Sequence, residues 1–236
     1  MTDVEEEYRE LTAELGIPLE SAAFPQSEID YLHGRVPPRL QQFLSEVGHA
    51  TYLGGAVTVC RPSELTPILA VLFKADADLN HKDCTVVSYG AFGELSVWSK
   101  ELGLLDISLV EGLVFSQSLA PTVFKNGLVP KAPHEPDLNV VASYAVISQL
   151  EKVDFLDFRG NSMFARCVAA HGRLSLGECY GFFPALALAG FEGPARKVES
   201  IQKVKAIEHF AILAQMQPFH LATVAEGGVK KLREIG

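Results

Sequence analysis

The chain has no G-x-S-x-G elbow for a serine nucleophile, no G-x-x-x-x-G-K-[ST] phosphate loop and no H-E-x-x-H zinc helix. An EF-hand loop, a kinase motif set and the H-x-E with P-C-x-x-C pattern of zinc deaminases are missing too. Cysteine is scarce. Cys60, Cys84, Cys167 and Cys179 are irregularly spaced and form no CxxC pair. That spacing argues for free thiols in a reducing compartment and against a structural zinc site, even with His81 and His171 as further candidate ligands. Long apolar runs are absent as well. The longest, Gly181 to Phe191, is eleven residues, whereas a bilayer span needs about twenty. The Met-Thr-Asp-Val-Glu start has no basic region ahead of an apolar core, so no signal peptide is expected. A cytoplasmic protein without cofactor or metal follows from these absences as an expectation.

Positive charge is what the first thirty residues lack. They hold nine acids against Arg9 alone, which places −8 of the net −9 in that stretch and leaves the rest of the chain almost neutral. Phosphate contacts need a basic face, so direct nucleic-acid binding is disfavoured. A basic protein partner would be drawn to the same acids, with Glu5, Glu6, Glu7 and Glu10 as the candidate contacts, although an exposed helix face is also commonly just solvated.

What is present is ordinary globular material: 236 residues, 48% apolar and 21% charged, long enough for one large domain or two small ones. DVEEEYRELTAELG reads as a helix capped by Thr2 or Asp3, with Val4, Tyr8, Leu11 and Leu15 as its apolar stripe and Gly16 as its stop. A second helix follows Pro37-Pro38, burying Leu40, Phe43, Leu44 and Val47 and ending at Gly48. GGAVTVCRP suggests a strand, SELTPILAVLFKADADL a helix capped by Ser63, and CTVVSYG, GELSVWS and LLDISLVEGLVFS a meander of strands. Residues 126 to 138, with three prolines, read as a linker. Beyond it the sequence predicts a helix over residues 137–152, a short helix within 155–170, a strand and turn in LSLGECYGFFPALAL, and a long helix over VESIQKVKAIEHFAILAQM. The basic tail KKLREIG is expected to fray. Together these elements predict an α+β fold: two small mixed domains with antiparallel-rich sheets flanked by helices, over residues 31–130 and 131–236, after an acidic helical arm over 1–30.

Candidate chemistry is scattered. Cys167 and His171 stand four apart on one predicted helix face, Asp76/Asp78 and Asp154/Asp157 are paired carboxylates, and His49 follows a helix stop. The carboxylates read as turn and cap residues, His49 as a cap and the cysteines as small core hydrophobes. Phe92 and Tyr180, beside glycine-rich turns, are candidates for aromatic anchors at an interface, with core packing the commoner fate of such residues; Trp98 reads as core.

VPPRLQQFLSEVGHATYLGGAVTVCRPSEL followed by VVSYGAFGELSVW resembles the N-terminal GAD-related domain of bacterial immunity proteins. GECYGFFPALALAG followed by KVESIQKVKAIEHFAILAQM is similar to the C-terminal domain found beside it, in the cognate immunity proteins of type VI secretion DNase effectors. The resemblance implies an α+β fold, cytosolic residence, no catalytic residues and one-to-one binding of a toxic nuclease. A small-molecule-binding or regulatory module on the same fold remains the alternative.

Overall fold

The computed structural model describes residues 4–120, 146, 154–225 and 228–236. Helix α1 (Val4–Leu15) is followed by β1 (Glu20–Ala22), α2 (Gln26–Leu32), α3 (Pro38–Val47), β2 (His49–Tyr52), β3 (Val57–Val59) and α4 (Pro62–Leu72). Four strands follow: β4 (Cys84–Gly90), β5 (Glu94–Ser99), β6 (Gly103–Ser108) and β7 (Leu113–Ser116). Further on lie α5 (Phe164–His171), β8 (Glu178–Phe182), α6 (Leu186–Ala189), β9 (Ile201–Lys205), α7 (Ala206–Met216), β10 (Phe219–Ala225) and β11 (Gly228–Ile235).

Among the described residues, nine strands make one mixed sheet in the order β1-β2-β3-β4-β5-β6-β7-β10-β11, and β8 and β9 make a separate two-stranded one. Every pairing is antiparallel except β7 with β10, where Val114 stands opposite Leu221. The late strands therefore extend the sheet begun by the early ones. The fold is α+β, with helices on the sheet rather than between parallel strands.

Period-two alternation assigns the two faces. Val86 and Val97 join one apolar core while their neighbours Val87 and Trp98 join another. The first core is covered by α4 (Leu65, Ile68, Leu69) and α7 (Phe210, Leu213), and the second by α1 and α3. In α3 the cap, stripe and stop agree: Pro38 opens it, Leu40, Phe43, Leu44 and Val47 are buried, and Gly48 ends it at φ +69°. A side chain at Gly48 would put its Cβ 2.6 Å from the Ala22 carbonyl oxygen.

Several sequence expectations change. Ser63 does not cap α4 from its own side chain. The Glu28 carboxylate of α2 does it instead, accepting from the Ser63 backbone N–H at 2.7 Å and from its hydroxyl at 2.5 Å. LLDISLVEGLVFS is two strands, turned at Gly112, rather than one. The long helix predicted from Val198 begins only at Ala206, because Ile201–Lys205 pairs with Glu178–Phe182 as β9. The tail does not fray: β11 is bonded along its length to β10, and Ile235 is buried. The cap at Thr2 or Asp3, the linker over 126–138 and the helix over 137–152 lie outside the described residues, save for helical Val146 in the second core.

Candidate partner-binding surfaces

A helix period divides the four candidate glutamates of α1. Glu7, Leu11 and Leu15 fall four apart and face the second core, whereas Glu5, Glu6 and Glu10 face solvent with Glu14. Glu7 is correspondingly buried and forms an ion pair with Arg39 of α3. It is a packing residue, which removes it from the exposed contacts. Burying leucines such as Leu11 and Leu15 stabilises by about 1.5–3 kcal/mol each, so α1 is a packed element of the fold.

Past Gly16 the chain leaves α1 with Ile17 and Leu19 in the open, 81% and 46% exposed. They meet Leu53, 42% exposed, at the tip of the β2–β3 turn. With Leu15, Phe164, Val168 and Arg173 they line an open groove of about 530 Å³. Leu53 has φ +51°, a left-handed conformation uncommon for an aliphatic residue. The groove joins the early and late parts of the chain, which are also tied where Glu20 accepts from the Leu176 N–H at 3.1 Å.

The glycine-rich run 177–190 forms a second surface. In β8, Tyr180 and Phe182 point inward to an aromatic cluster with Phe92 and Phe155, with centroid separations of 5.6 Å for Phe92–Tyr180 and 5.5 Å for Phe155–Phe182. Tyr180 donates its hydroxyl to the Gly172 carbonyl at 2.6 Å and its N–H to the Ala91 carbonyl at 2.8 Å. Phe92 and Tyr180 do meet, but inside the core, so neither is available as a surface anchor. The next residue alternates outward. Phe183, after which the peptide to Pro184 is cis, joins exposed Leu188 and Ile212 around a groove of about 440 Å³ edged by Lys205, Glu208 and His209. Burial lowers the His209 imidazole, favouring its neutral form.

Sequence reading missed these outward residues. One signal was available: Ile212 falls off the α7 stripe, and Ile17 follows the α1 stop. Large aliphatics outside the stripe that explains a helix are the ones left for solvent.

The scattered chemical candidates do not assemble into a catalytic set. His171 bonds the Val198 carbonyl at 3.1 Å through Nε2, while burial pushes the Cys167 thiol up to about 12. Asp154 accepts from the Met163 and Phe164 N–H groups at 3.0 and 3.2 Å, at the start of α5. Asp157 is held well below the usual carboxylate range by Arg166, 2.6 Å away, and by the Asn161 N–H. His49 opens β2 instead of capping α3, and burial followed by Arg61 lowers its pKa. A third cavity, about 360 Å³, lies over β5–β7 among Glu94, Asp106, Glu111, Phe155 and Arg196, and no histidine, cysteine or lysine among the described residues lines it. Burial raises Glu111 there. Among the described residues, no three His, Cys, Asp or Glu side chains converge as a metal site, and no helix is long and apolar enough to cross a membrane.

Residues 6–110 match the family model of the GAD-like domain, and residues 139–217 match that of T6SS immunity protein Tdi1, C-terminal. The chain thus joins a GAD-like match to a match with the C-terminal domain of a T6SS immunity protein. Strands β10 and β11 lie beyond the second match yet complete the sheet against β7. The fold is shared with the crystal structure of Atu4351 from Agrobacterium tumefaciens, at a TM-score of 0.81 and 24% identity over 97% of this chain and 98% of that one. No curated protein matches the chain.

Proposed function

We propose that the chain binds a cognate type VI secretion DNase in the cytoplasm of the cell that makes it, and neutralises it as a one-to-one complex without chemistry of its own. The observation that carries this reading is the match of residues 139–217 to the Tdi1 immunity family. The surface supports it. Exposed glutamates on α1 suit a nuclease whose own face must be basic to hold phosphates, and two open apolar grooves supply places for anchoring side chains. Inhibition then proceeds by covering the DNA-binding groove or by displacing catalytic elements, and an apolar anchor serves either route.

Co-expression with the effector encoded beside this chain's gene tests the reading. The expected result is intact chromosomal DNA and a complex that survives purification. Continued DNA degradation with no recoverable complex sinks it.

A further inference from the structure

We propose that the groove beside the Phe183-Pro184 turn receives a tyrosine or tryptophan side chain of the nuclease, whose hydroxyl or indole N–H bonds to His209 within the groove. The inference rests on the proposed function and names a part of the surface that performs it.

One lining residue sets this groove apart. His209 is only 8% exposed, and among the described residues neither of its ring nitrogens has a hydrogen-bond partner. An unpaired buried polar group is costly, and an aliphatic side chain would fill the same space without that cost. The surrounding chain is nevertheless shaped around the ring. Gly181 of β8 lies outside the left-handed region, so its backbone does not demand glycine. The imidazole does, since a Cβ on Gly181 would stand 2.9 Å from both His209 Cε1 and Nε2. The Phe183 ring lies beside it, with centroids 6.1 Å apart and planes tilted by 33°. Packing thus holds the imidazole in place while its hydrogen-bonding capacity is unspent.

The lining selects the occupant. Phe183, Leu188, Ile212 and Met216 supply apolar walls, and the two charged residues, Lys205 and Glu208, are of opposite sign. Such a surface favours a neutral, apolar side chain over a charged one. Burial lowers the His209 pKa, so the ring is neutral near pH 7 and offers one donor and one acceptor. A purely aliphatic occupant would strip water from the imidazole and return no hydrogen bond. Tyrosine and tryptophan combine an apolar ring with one polar tip, and they pack well against aromatic rings and a methionine sulfur. They are also enriched among the anchors of protein interfaces. In the groove at Ile17, Leu19 and Leu53, no described lining residue is a buried polar side chain, so that surface sets no such condition.

The test measures binding of the catalytically inactivated neighbouring effector to the full-length chain and two variants. His209→Leu keeps a side chain of similar size and removes the hydrogen bond. Affinity is expected to fall about tenfold while the melting temperature holds or rises, a split that a purely structural histidine would not give. Leu188→Arg/Ile212→Arg alters two exposed positions, and unchanged circular dichroism and melting temperature establish that it folds. Its affinity is expected to fall by about 30-fold or more, chiefly through faster dissociation. In the effector, each tyrosine and tryptophan is exchanged in turn for phenylalanine. One exchange is expected to cost about tenfold against the unaltered chain and nothing further against His209→Leu. Failure of the unaltered chain to bind removes both the function and the inference. Normal binding by Leu188→Arg/Ile212→Arg removes the inference alone. If that variant loses binding while no tyrosine or tryptophan couples to His209, the groove takes an aliphatic segment and the proposal is overturned. A change of this chain's own oligomeric state by Leu188→Arg/Ile212→Arg makes the groove a self-interface and overturns it too.

Discussion

Arg233 of β11 donates from Nη2 to Asp76 Oδ1 at 3.0 Å and to Asp78 Oδ2 at 2.6 Å, tying the last strand of the sheet to the turn after α4. Asp76 also caps that turn, accepting from the Asp78 and Leu79 N–H groups at 2.9 and 3.0 Å. The Asp76 side chain is almost wholly buried, but the guanidinium is about a third exposed.

Replacing Arg233 by Ala therefore strands a buried carboxylate. The cost lies between those of an exposed and a buried ion pair, about 1–3 kcal/mol after allowing for solvent screening of the arginine. Burial works to raise the Asp76 carboxyl, but the Arg233 hydrogen bond and the two backbone N–H groups outweigh it and hold the carboxyl low. A carboxyl held low in the folded state stabilises fully above its unfolded value of about 3.9. That contribution disappears as pH falls through the lower folded value. Denaturant unfolding at stepped pH should show a constant gap between the two proteins from neutral to mildly acidic pH, closing below about pH 4. A gap that persists unchanged to pH 2 would contradict the ion-pair account.

Glu28 supports a helix that is not its own. Its carboxylate meets the Ser63 N–H and hydroxyl in the first turn of α4, where backbone donors lack intrahelical partners. Glu28→Ala should cost about 1–2 kcal/mol, in the range of a lost cap, and lower the melting temperature by about 2–8 °C at this chain length. Ser63→Ala removes only the hydroxyl partner and should cost less. An equal loss from both would mean that the hydroxyl, and not the backbone N–H, carries the cap.

The four cysteines should be chemically silent in the folded protein. All are buried, and burial raises Cys84 and Cys167 to about 12 and Cys60 and Cys179 upward as well. Since the thiolate is the reacting species, an aromatic disulfide reagent at pH 8 should label none of them before unfolding and all four in denaturant. On the function proposed above, Cys167→Ala should protect cells from the toxin as well as the unaltered chain does. Rapid labelling of Cys167, or loss of protection on its replacement without loss of folding, would restore a reactive role for that thiol.

Where several local signals agreed, the fold was legible from the amino acids. Pro38, the stripe from Leu40 to Val47 and Gly48 all indicate one helix, and α3 has those bounds. The segment from Val198 carried one signal only. Ile201 and Val204 suit a helical stripe, but pairing with Phe182 and Cys179 makes them strand residues, a choice decided by a partner about twenty positions away. The union of β7 with β10 is still less visible, since Val114 and Leu221 meet across more than a hundred residues. Lysines and arginine hid β11, because an edge strand keeps its charges in water. As for the candidate surface, the charge count revealed the exposed acids of α1 but could not place Glu7 against Arg39. Nor could it show that Ile17, Leu19 and Leu53 converge.

The seam between the early and late parts of the chain yields the sharpest stability test. Gly55, in the turn behind Leu53, has φ +94°, and a Cβ there would stand 2.3 Å from Leu174 Cβ and 3.1 Å from its Cα. Leu174 is buried and cannot retreat, because its N–H is bonded to the Gly54 carbonyl at 3.1 Å. Gly55→Ala therefore combines a left-handed backbone cost with overpacking, together about 2–4 kcal/mol. Its neighbour Gly54 has φ +76° but room for a methyl, which would make ordinary van der Waals contact with Arg173 Cγ at 3.8 Å. Gly54→Ala should carry only the backbone cost of about 1–2 kcal/mol. Thermal unfolding of the two single variants should rank Gly55→Ala clearly below Gly54→Ala. Equal melting temperatures would mean that Leu174 yields, and that the two parts of the chain are less firmly packed at this turn than the geometry requires.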